Sequence, residues 1–338
     1  MTVSFFDTHS FERPIFISQN EGFKFEINFL EGRLTSSTAS LAKGSQVVCS
    51  FVNDKIDSEC IEALSEIGVR LIALRSAGFN HVDLEAAQKY GLIIGRVPGY
   101  SPHAVAEYTI GLLLSLNRKI HKSYLRVREF NFSLDGLVGF DLCGKTVGIL
   151  GTGRIGSIVA EILAAFGCNV LCNDKFPNSK LKGHANISYV DCGQLCKESD
   201  VISLHVPLTP ETYHILDREM ISHMKKGVFI INTGRGALID SKALINALKS
   251  GHVGGAALDV YEEEEAVFFQ DVSDKILQDD VLARLLMFPN VLISSHQAFL
   301  TKEALINIVQ TTLENISEFQ KTGTVPSERL VIPESHLK

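Results

Sequence analysis

Short apolar runs alternate with stretches of helical periodicity along almost the whole chain. In the first hundred residues, Val3 to Phe6, Phe25 to Phe29, Val47 to Phe51, Val69 to Leu74 and Ile93 to Val97 read as strands, with helices over Ser58 to Ile67 and Asp83 to Tyr90. Continuous apolar strands separated by helices point to parallel sheets covered on both faces. The pattern breaks at Val97-Pro-Gly-Tyr-Ser-Pro102. Ser101 before Pro102 is a helix start, with an N-cap hydroxyl and a proline at the first helical position, and it predicts one long helix to about Lys122. A second series of strands follows: Lys145 to Leu150, Asn169 to Asn173, Val201 to His205, Val228 to Asn232, Ala256 to Leu258 and Val291 to Ser295. The final helix, Thr301 to about Lys321, lines up Leu305, Ile308, Val309, Leu313, Ile316 and Phe319 on one face. At 1.5 Å per residue it is about 30 Å long, enough to return to the first series.

Inside the second series, Gly151-Thr-Gly-Arg-Ile-Gly156 lies between a strand and a helix running from Ile155 to Phe166, and a further strand leads to Asp174. This is the setting in which G-x-G-x-x-G binds a dinucleotide. Gly151 permits the tight turn, Gly153 with Arg154 and Ile155 brings backbone N–H groups toward a pyrophosphate, and Gly156 lets helix and strand approach. The phosphates would rest on the helix N-terminus, where free N–H groups and the helix dipole favour an anion. Asp174, 23 residues after Gly151, is placed for the adenosine ribose hydroxyls. A carboxylate there repels a 2′-phosphate, so NAD is expected rather than NADP. Val206 and Pro207, after the strand ending at His205, are further expected cofactor contacts. The chain therefore reads as α/β, with two doubly wound parallel-sheet domains and a cleft between them. Residues 1–100 plus 300–338 form a flavodoxin-like substrate domain, residues 101–299 form a Rossmann dinucleotide-binding domain, and the crossings near Tyr100 and Phe299 act as a hinge.

A length of 338 residues agrees with two domains, and 45% hydrophobic residues suffice for two cores. A net charge of −7 without a basic stripe argues against a nucleic-acid partner. No apolar run approaches the roughly 18 residues of a membrane span, and Met1 to Asp7 lacks a basic segment leading into one, so a cytoplasmic protein is expected. The seven cysteines, Cys49, Cys60, Cys143, Cys168, Cys172, Cys192 and Cys196, show no C-x-x-C spacing. They are expected to be small buried hydrophobes, with no disulfide framework and no metal.

Three strand ends carry candidate chemistry. Asn232-Thr-Gly-Arg-Gly236 sets Arg235 in a glycine-flanked turn, Ala257 to Glu265 ends a strand in four consecutive glutamates, and Ser294-Ser-His-Gln-Ala-Phe299 ends another in His296. In open α/β sheets ligands collect at the carboxyl ends of strands. Taken singly, an arginine in such a turn is as well explained by solvent exposure. Together the three supply an anion clamp, an acid/base and a carboxylate to orient it, the set needed when a ketone accepts hydride and its oxygen a proton.

The combination of Arg75-Ser-Ala-Gly-Phe-Asn80, Val97 to Glu107, the glycine loop with Asp174, Asn232-Thr-Gly-Arg-Gly236, Asp259-Val-Tyr-Glu262 and His296 resembles the D-isomer-specific 2-hydroxyacid dehydrogenase family, most of all its fermentative D-lactate dehydrogenases. The resemblance spans essentially the whole chain, including Phe268 to Asp280. It implies His296 as proton donor to the substrate carbonyl, Arg235 as the group that polarises it, and Glu264 as the acid bonded to the histidine, with Glu263 or Glu265 as alternatives in the glutamate run. It further implies Asp259, Thr233 and Gly234 near the nicotinamide, the N–H groups of Ser76, Ala77 and Gly78 on the substrate carboxylate, and Tyr100 and Phe299 bordering a small substrate. Gln297 after the histidine and the two aromatic residues favour pyruvate. Glyoxylate, hydroxypyruvate or a longer 2-oxo acid is the alternative, and an NADH-sensing interaction protein without turnover is the rival reading. A homo-oligomer, dimer or tetramer, is expected, with Arg126 to Leu142, containing Phe130, Phe132 and Phe140, as its intersubunit arm or as a loop packed on its own subunit.

Overall fold

The computed structural model describes residues 1–264 and 267–333. The chain divides into two compact units, Met1–Ser101 with Leu300–Lys338, and Pro102–Phe299.

In the first unit, β1 (Thr2–Phe5), β2 (Glu26–Phe29), β3 (Val47–Ser50), β4 (Leu71–Leu74) and β5 (Ile93–Gly95) form a parallel sheet in the order β5-β4-β3-β1-β2. A two-residue strand, Leu330–Val331, adds antiparallel beside β5. β3 and β4 are buried at every position, because helices cover both faces. One face packs on the helices Ser58–Glu66 and Leu84–Lys89 through Ile61, Leu64 and Ala87. The other takes Phe16 of the helix Arg13–Asn20 and Val309, Leu313 and Ile316 of the helix Lys302–Thr322. That last helix is capped by the Thr301 hydroxyl, which accepts from the Ala304 N–H, and is stopped by Gly323 at φ 79°.

The second unit contains β6 (Thr146–Leu150), β7 (Asn169–Asn173), β8 (Ile187–Tyr189), β9 (Val201–Leu204), β10 (Val228–Asn232), β11 (Val253–Leu258) and β12 (Val291–Ile293). All pairings are parallel and the order is β12-β11-β10-β9-β6-β7-β8. The order reverses between β6 and β9, the switch point at which doubly wound sheets bind ligands.

Two of the expected elements have other bounds in the structure. The helix expected to reach Lys122 is Pro102–Arg118; Lys119 turns left-handed at φ 53° and a second helix, Ile120–Arg128, begins there. No glycine or proline marks this break. It is held by distant groups: the Asn117 amide exchanges two hydrogen bonds with the Phe140 backbone at 2.7 and 2.8 Å, and the Lys119 ammonium donates to the carbonyls of Gly136 and Val138. β11 starts at Val253, three residues before the expected Ala256, through Gly254 and Gly255. There the glycines serve packing, since a Cβ on Gly254 would lie 2.4 Å from the Gly227 carbonyl oxygen. Among the described residues, no helix is long and apolar enough to cross a membrane.

Candidate active site

The glycine loop joins β6 to the helix Arg154–Ala165. Gly151 has φ +95°, and a Cβ on it would lie 2.6 Å from the His205 carbonyl and 2.7 Å from the Val206 nitrogen. This contact brings His205 and Val206 against the loop, and Pro207 is the next residue in the chain. A Cβ on Gly156 would sit 1.9 Å from the Gly151 oxygen, so both positions require glycine for the protein's own packing. Gly153 differs: a Cβ there meets no protein atom within 4 Å. Packing does not explain this glycine, and the open space beside the helix N-terminus leaves room for a pyrophosphate to approach. Arg154 and Ile155 form the first turn of that helix.

Asp174 follows β7. Its Oδ2 accepts from the Thr152 N–H at 2.5 Å and the Thr152 hydroxyl at 3.1 Å, and its Oδ1 from the Phe176 N–H at 2.7 Å. The carboxylate is thereby oriented beside the glycine loop, with lone pairs left over for a ribose diol. The Tyr189 hydroxyl donates to Thr152, a supporting bond that no local sequence signal indicates. These residues fit NAD.

The Arg235 turn follows β10. Asn232 folds it, donating to the Arg235 carbonyl at 2.8 Å and accepting from the Gly234 N–H at 3.0 Å. The Thr233 hydroxyl is shared with Thr109 at 2.8 Å. The Arg235 guanidinium donates to the Gly234 carbonyl at 2.7 Å, and among the described residues no carboxylate forms a salt bridge with it. A guanidinium without a carboxylate partner can still bind an anionic substrate bidentately.

β11 leads to Asp259, which is fully buried. Its carboxylate accepts from the Ser294 hydroxyl at 2.7 Å and from the N–H groups of Gln297 and Ala298 at 2.9 and 2.8 Å. Asp259 therefore anchors the turn that carries the histidine. His296 itself sits at φ 52°, in the left-handed region that a residue with a Cβ enters at a cost of about 1–2 kcal/mol. Its N–H donates to the Asp259 carbonyl at 2.7 Å. His296 Nδ1 lies 2.6 Å from Glu264 Oε1, while Glu264 Oε2 accepts from the Tyr261 N–H at 2.9 Å. With Nδ1 held by the carboxylate, Nε2 is the nitrogen left for a substrate. Of the other glutamates, Glu262 pairs with His214, Glu263 is exposed, and Glu265 lies outside the described residues.

In the first unit, Ser76, Ala77 and Gly78 follow β4. Their carbonyls are used internally, by Val97 N–H, Arg96 and the Ser76 hydroxyl respectively. Among the described residues, the N–H groups of Ala77 and Gly78 find no protein acceptor. Arg75, fully buried, braces this loop: it forks onto Glu12 at 3.0 and 3.1 Å and donates to the carbonyls of Phe6, Asp7 and Cys49. Tyr100 lies in the same unit, its carbonyl accepting from Asn307 at 2.6 Å, and Phe299 ends the second unit.

Residues 110–298 match the family model for the NAD binding domain of D-isomer specific 2-hydroxyacid dehydrogenases. The chain is 52% identical over 328 residues to 2-hydroxyacid dehydrogenase homolog 1 of Schizosaccharomyces pombe, covering 97% of this chain and 98% of that protein. It is 49% identical over 328 residues to the D-lactate dehydrogenase of Escherichia coli, covering 97% and 99%. The apo-structure of D-lactate dehydrogenase from Escherichia coli superposes with a TM-score of 0.88 at 46% identity, over 98% of this chain and 100% of that one. A D-lactate dehydrogenase from Aquifex aeolicus complexed with NAD and lactic acid gives a TM-score of 0.85 at 33% identity, over 98% and 99%. Whole-chain similarity of this extent, on two parallel-sheet units with a dinucleotide loop, places the chain in the D-isomer specific 2-hydroxyacid dehydrogenase family as an NAD-dependent enzyme.

Proposed function

We propose that the protein is a D-lactate dehydrogenase that reduces pyruvate to D-lactate, reversibly. The observation that carries this reading is the 2.6 Å contact between His296 and Glu264 together with an Arg235 that has no carboxylate partner among the described residues. NADH, when bound, supplies the hydride that C2 of the 2-oxo acid accepts. His296, as imidazolium, donates the Nε2 proton to the carbonyl oxygen as that oxygen gains charge, and Glu264 holds the ring and balances the imidazolium. In the oxidation direction the neutral ring takes the proton back. Arg235 holds the substrate by its carboxyl and carbonyl oxygens, and the N–H groups of Ser76, Ala77 and Gly78 are assigned to the carboxylate. Gly151, Gly153, Arg154, Ile155, Gly156, Asp174, Val206, Pro207, Thr233, Gly234 and Asp259 are assigned to the cofactor side. Tyr100 and Phe299 favour the methyl group of pyruvate over larger substituents.

The test is NADH oxidation with pyruvate, glyoxylate, hydroxypyruvate, 2-oxobutyrate and phenylpyruvate, followed by chiral analysis of the product. The expected result is the highest kcat/KM for pyruvate with D-lactate formed. A preference for another acid would replace the substrate and keep the chemistry, and tight NADH binding without turnover on any of them would favour an NADH sensor.

The protein is further proposed to act as a homo-oligomer. Phe130, Phe132, Leu134 and Val138 are 69–85% exposed, whereas Phe140 packs edge-on against Phe229 of its own unit. The proposed arm is therefore tethered at Phe140, by Lys119 at Gly136 and Val138 and by Arg126 at Asp135, while its apolar side chains ahead of Phe140 stay exposed.

A further inference from the structure

We infer that His214 is a positioning residue for the reaction, a strut that fixes the Arg235 turn and the glutamate turn relative to each other. The inference rests on the roles proposed above for Arg235, Glu264 and His296. His214 lies after β9, in the segment leading to the helix Arg218–His223, and the mechanism does not use it. Its backbone N–H donates to the Ala237 carbonyl at 2.9 Å, two residues beyond Arg235. Leu216 and Asp240 continue this short ladder, Leu216 N–H to the Leu238 carbonyl at 3.1 Å and Asp240 N–H to the Leu216 carbonyl at 3.2 Å. Its ring reaches the other way, with Nε2 2.6 Å from Oε1 of Glu262. One residue therefore bonds both turns.

Two further features show that the two turns are packed as one body. A Cβ on Gly236 would come within 2.0 Å of the Tyr261 carbonyl carbon and 2.4 Å of the Glu262 nitrogen, so the backbones are in direct contact. The second Glu262 oxygen faces the Ser241 N–H at 3.5 Å, at the start of the helix Ser241–Ser250 into which the Arg235 segment runs. Glu262 is two residues from Glu264, whose Oε2 is bonded to the Tyr261 N–H. Any rotation of the Tyr261–Glu262 backbone therefore moves the carboxylate that holds His296. His214 adopts φ 49°, outside the region a histidine prefers, and the ladder and the hydrogen bond to Glu262 hold it there. Among the described residues there are thus two histidine–glutamate pairs of equal length whose glutamates stand two residues apart, one presenting a proton and the other setting where the first one stands.

The experiment compares His214→Ala, His214→Gln and Glu262→Ala in the full-length protein, with His296→Gln alongside. His214→Ala and Glu262→Ala are each expected to lower kcat for pyruvate about tenfold to a hundredfold, as small displacements of a reacting constellation do. NADH affinity by fluorescence titration should stay as in the parent, and the kinetic isotope effect with 4-deuterated NADH should rise as chemistry becomes limiting. His214→Gln, whose amide can donate to Glu262, should recover most of the loss. The double variant should be no slower than either single one, because both remove the same strut. A folded His214→Ala or Glu262→Ala with parental kcat and isotope effect, whatever its melting temperature, overturns the inference. Glu262 is partly exposed, which keeps its variant foldable if His214→Ala is not. Full turnover by His296→Gln would instead overturn the reading of the site on which the inference rests.

Discussion

At the scale of single residues, charge and reach decide what each side chain does. Arg235→Gln removes the planar fork and is expected to lower kcat/KM for pyruvate by about a thousandfold, with NADH affinity nearly unchanged; parental turnover would remove Arg235 from the mechanism. Asp174→Ala frees the ribose corner of a negative charge, so the ratio of kcat/KM for NADH over that for NADPH should fall, measured side by side in one buffer. The cysteines separate by burial. Loss of solvation pushes the thiols of Cys49, Cys60 and Cys172 up to about 12 and that of Cys168 to about 11, whereas Cys143 is exposed and Cys192 half-buried with its thiol pulled down by the bond to Cys196. Because the thiolate is the reactive form, iodoacetamide at about pH 8 should label Cys143 and Cys192 and leave the other five until the protein unfolds. Peptide mass mapping would show whether that division holds. His296, Arg235 and the three loop glycines could be singled out as candidates because they stand in turns and a glycine-rich loop at the ends of apolar strands. His214 could not, since a histidine in a polar loop carries no mark of the glutamate 48 positions away that it bonds.

Secondary elements show a similar division between local and distant causes. Most of the central strands of both sheets follow from short apolar runs, and the final helix from its threonine cap, its apolar stripe and Gly323. The interruption at Lys119 could not be read because its cause lies about twenty residues downstream, where Phe140 and Val138 return to meet Asn117 and Lys119. Asn117 is 2% exposed and satisfies both backbone groups of Phe140. Asn117→Ala leaves those groups without partners and should cost about 1–3 kcal/mol, seen as a lower midpoint in urea. An unchanged midpoint would show that the return segment is held by its other contacts. The two-residue strand Leu330–Val331 and β8 were equally illegible, being too short for any periodicity to register.

For the molecule as a whole, the exposed apolar side chains ahead of Phe140 are what the proposed self-association would cover. Sedimentation at micromolar concentration should give a species larger than the 37.1 kDa chain, and Phe130→Ser with Phe132→Ser should shift it toward that mass; a parent that sediments as the single chain would end the oligomer proposal. The left-handed backbone of His296 carries a consequence for how the enzyme can evolve. Folding by itself would choose glycine or asparagine at that position, since both enter this conformation with less strain. A saturation library at residue 296, sorted once for cellular abundance and once for pyruvate reduction, should therefore rank its members in opposite orders. The most abundant variants would be inert, and drift toward thermal robustness would lead away from activity at this one codon.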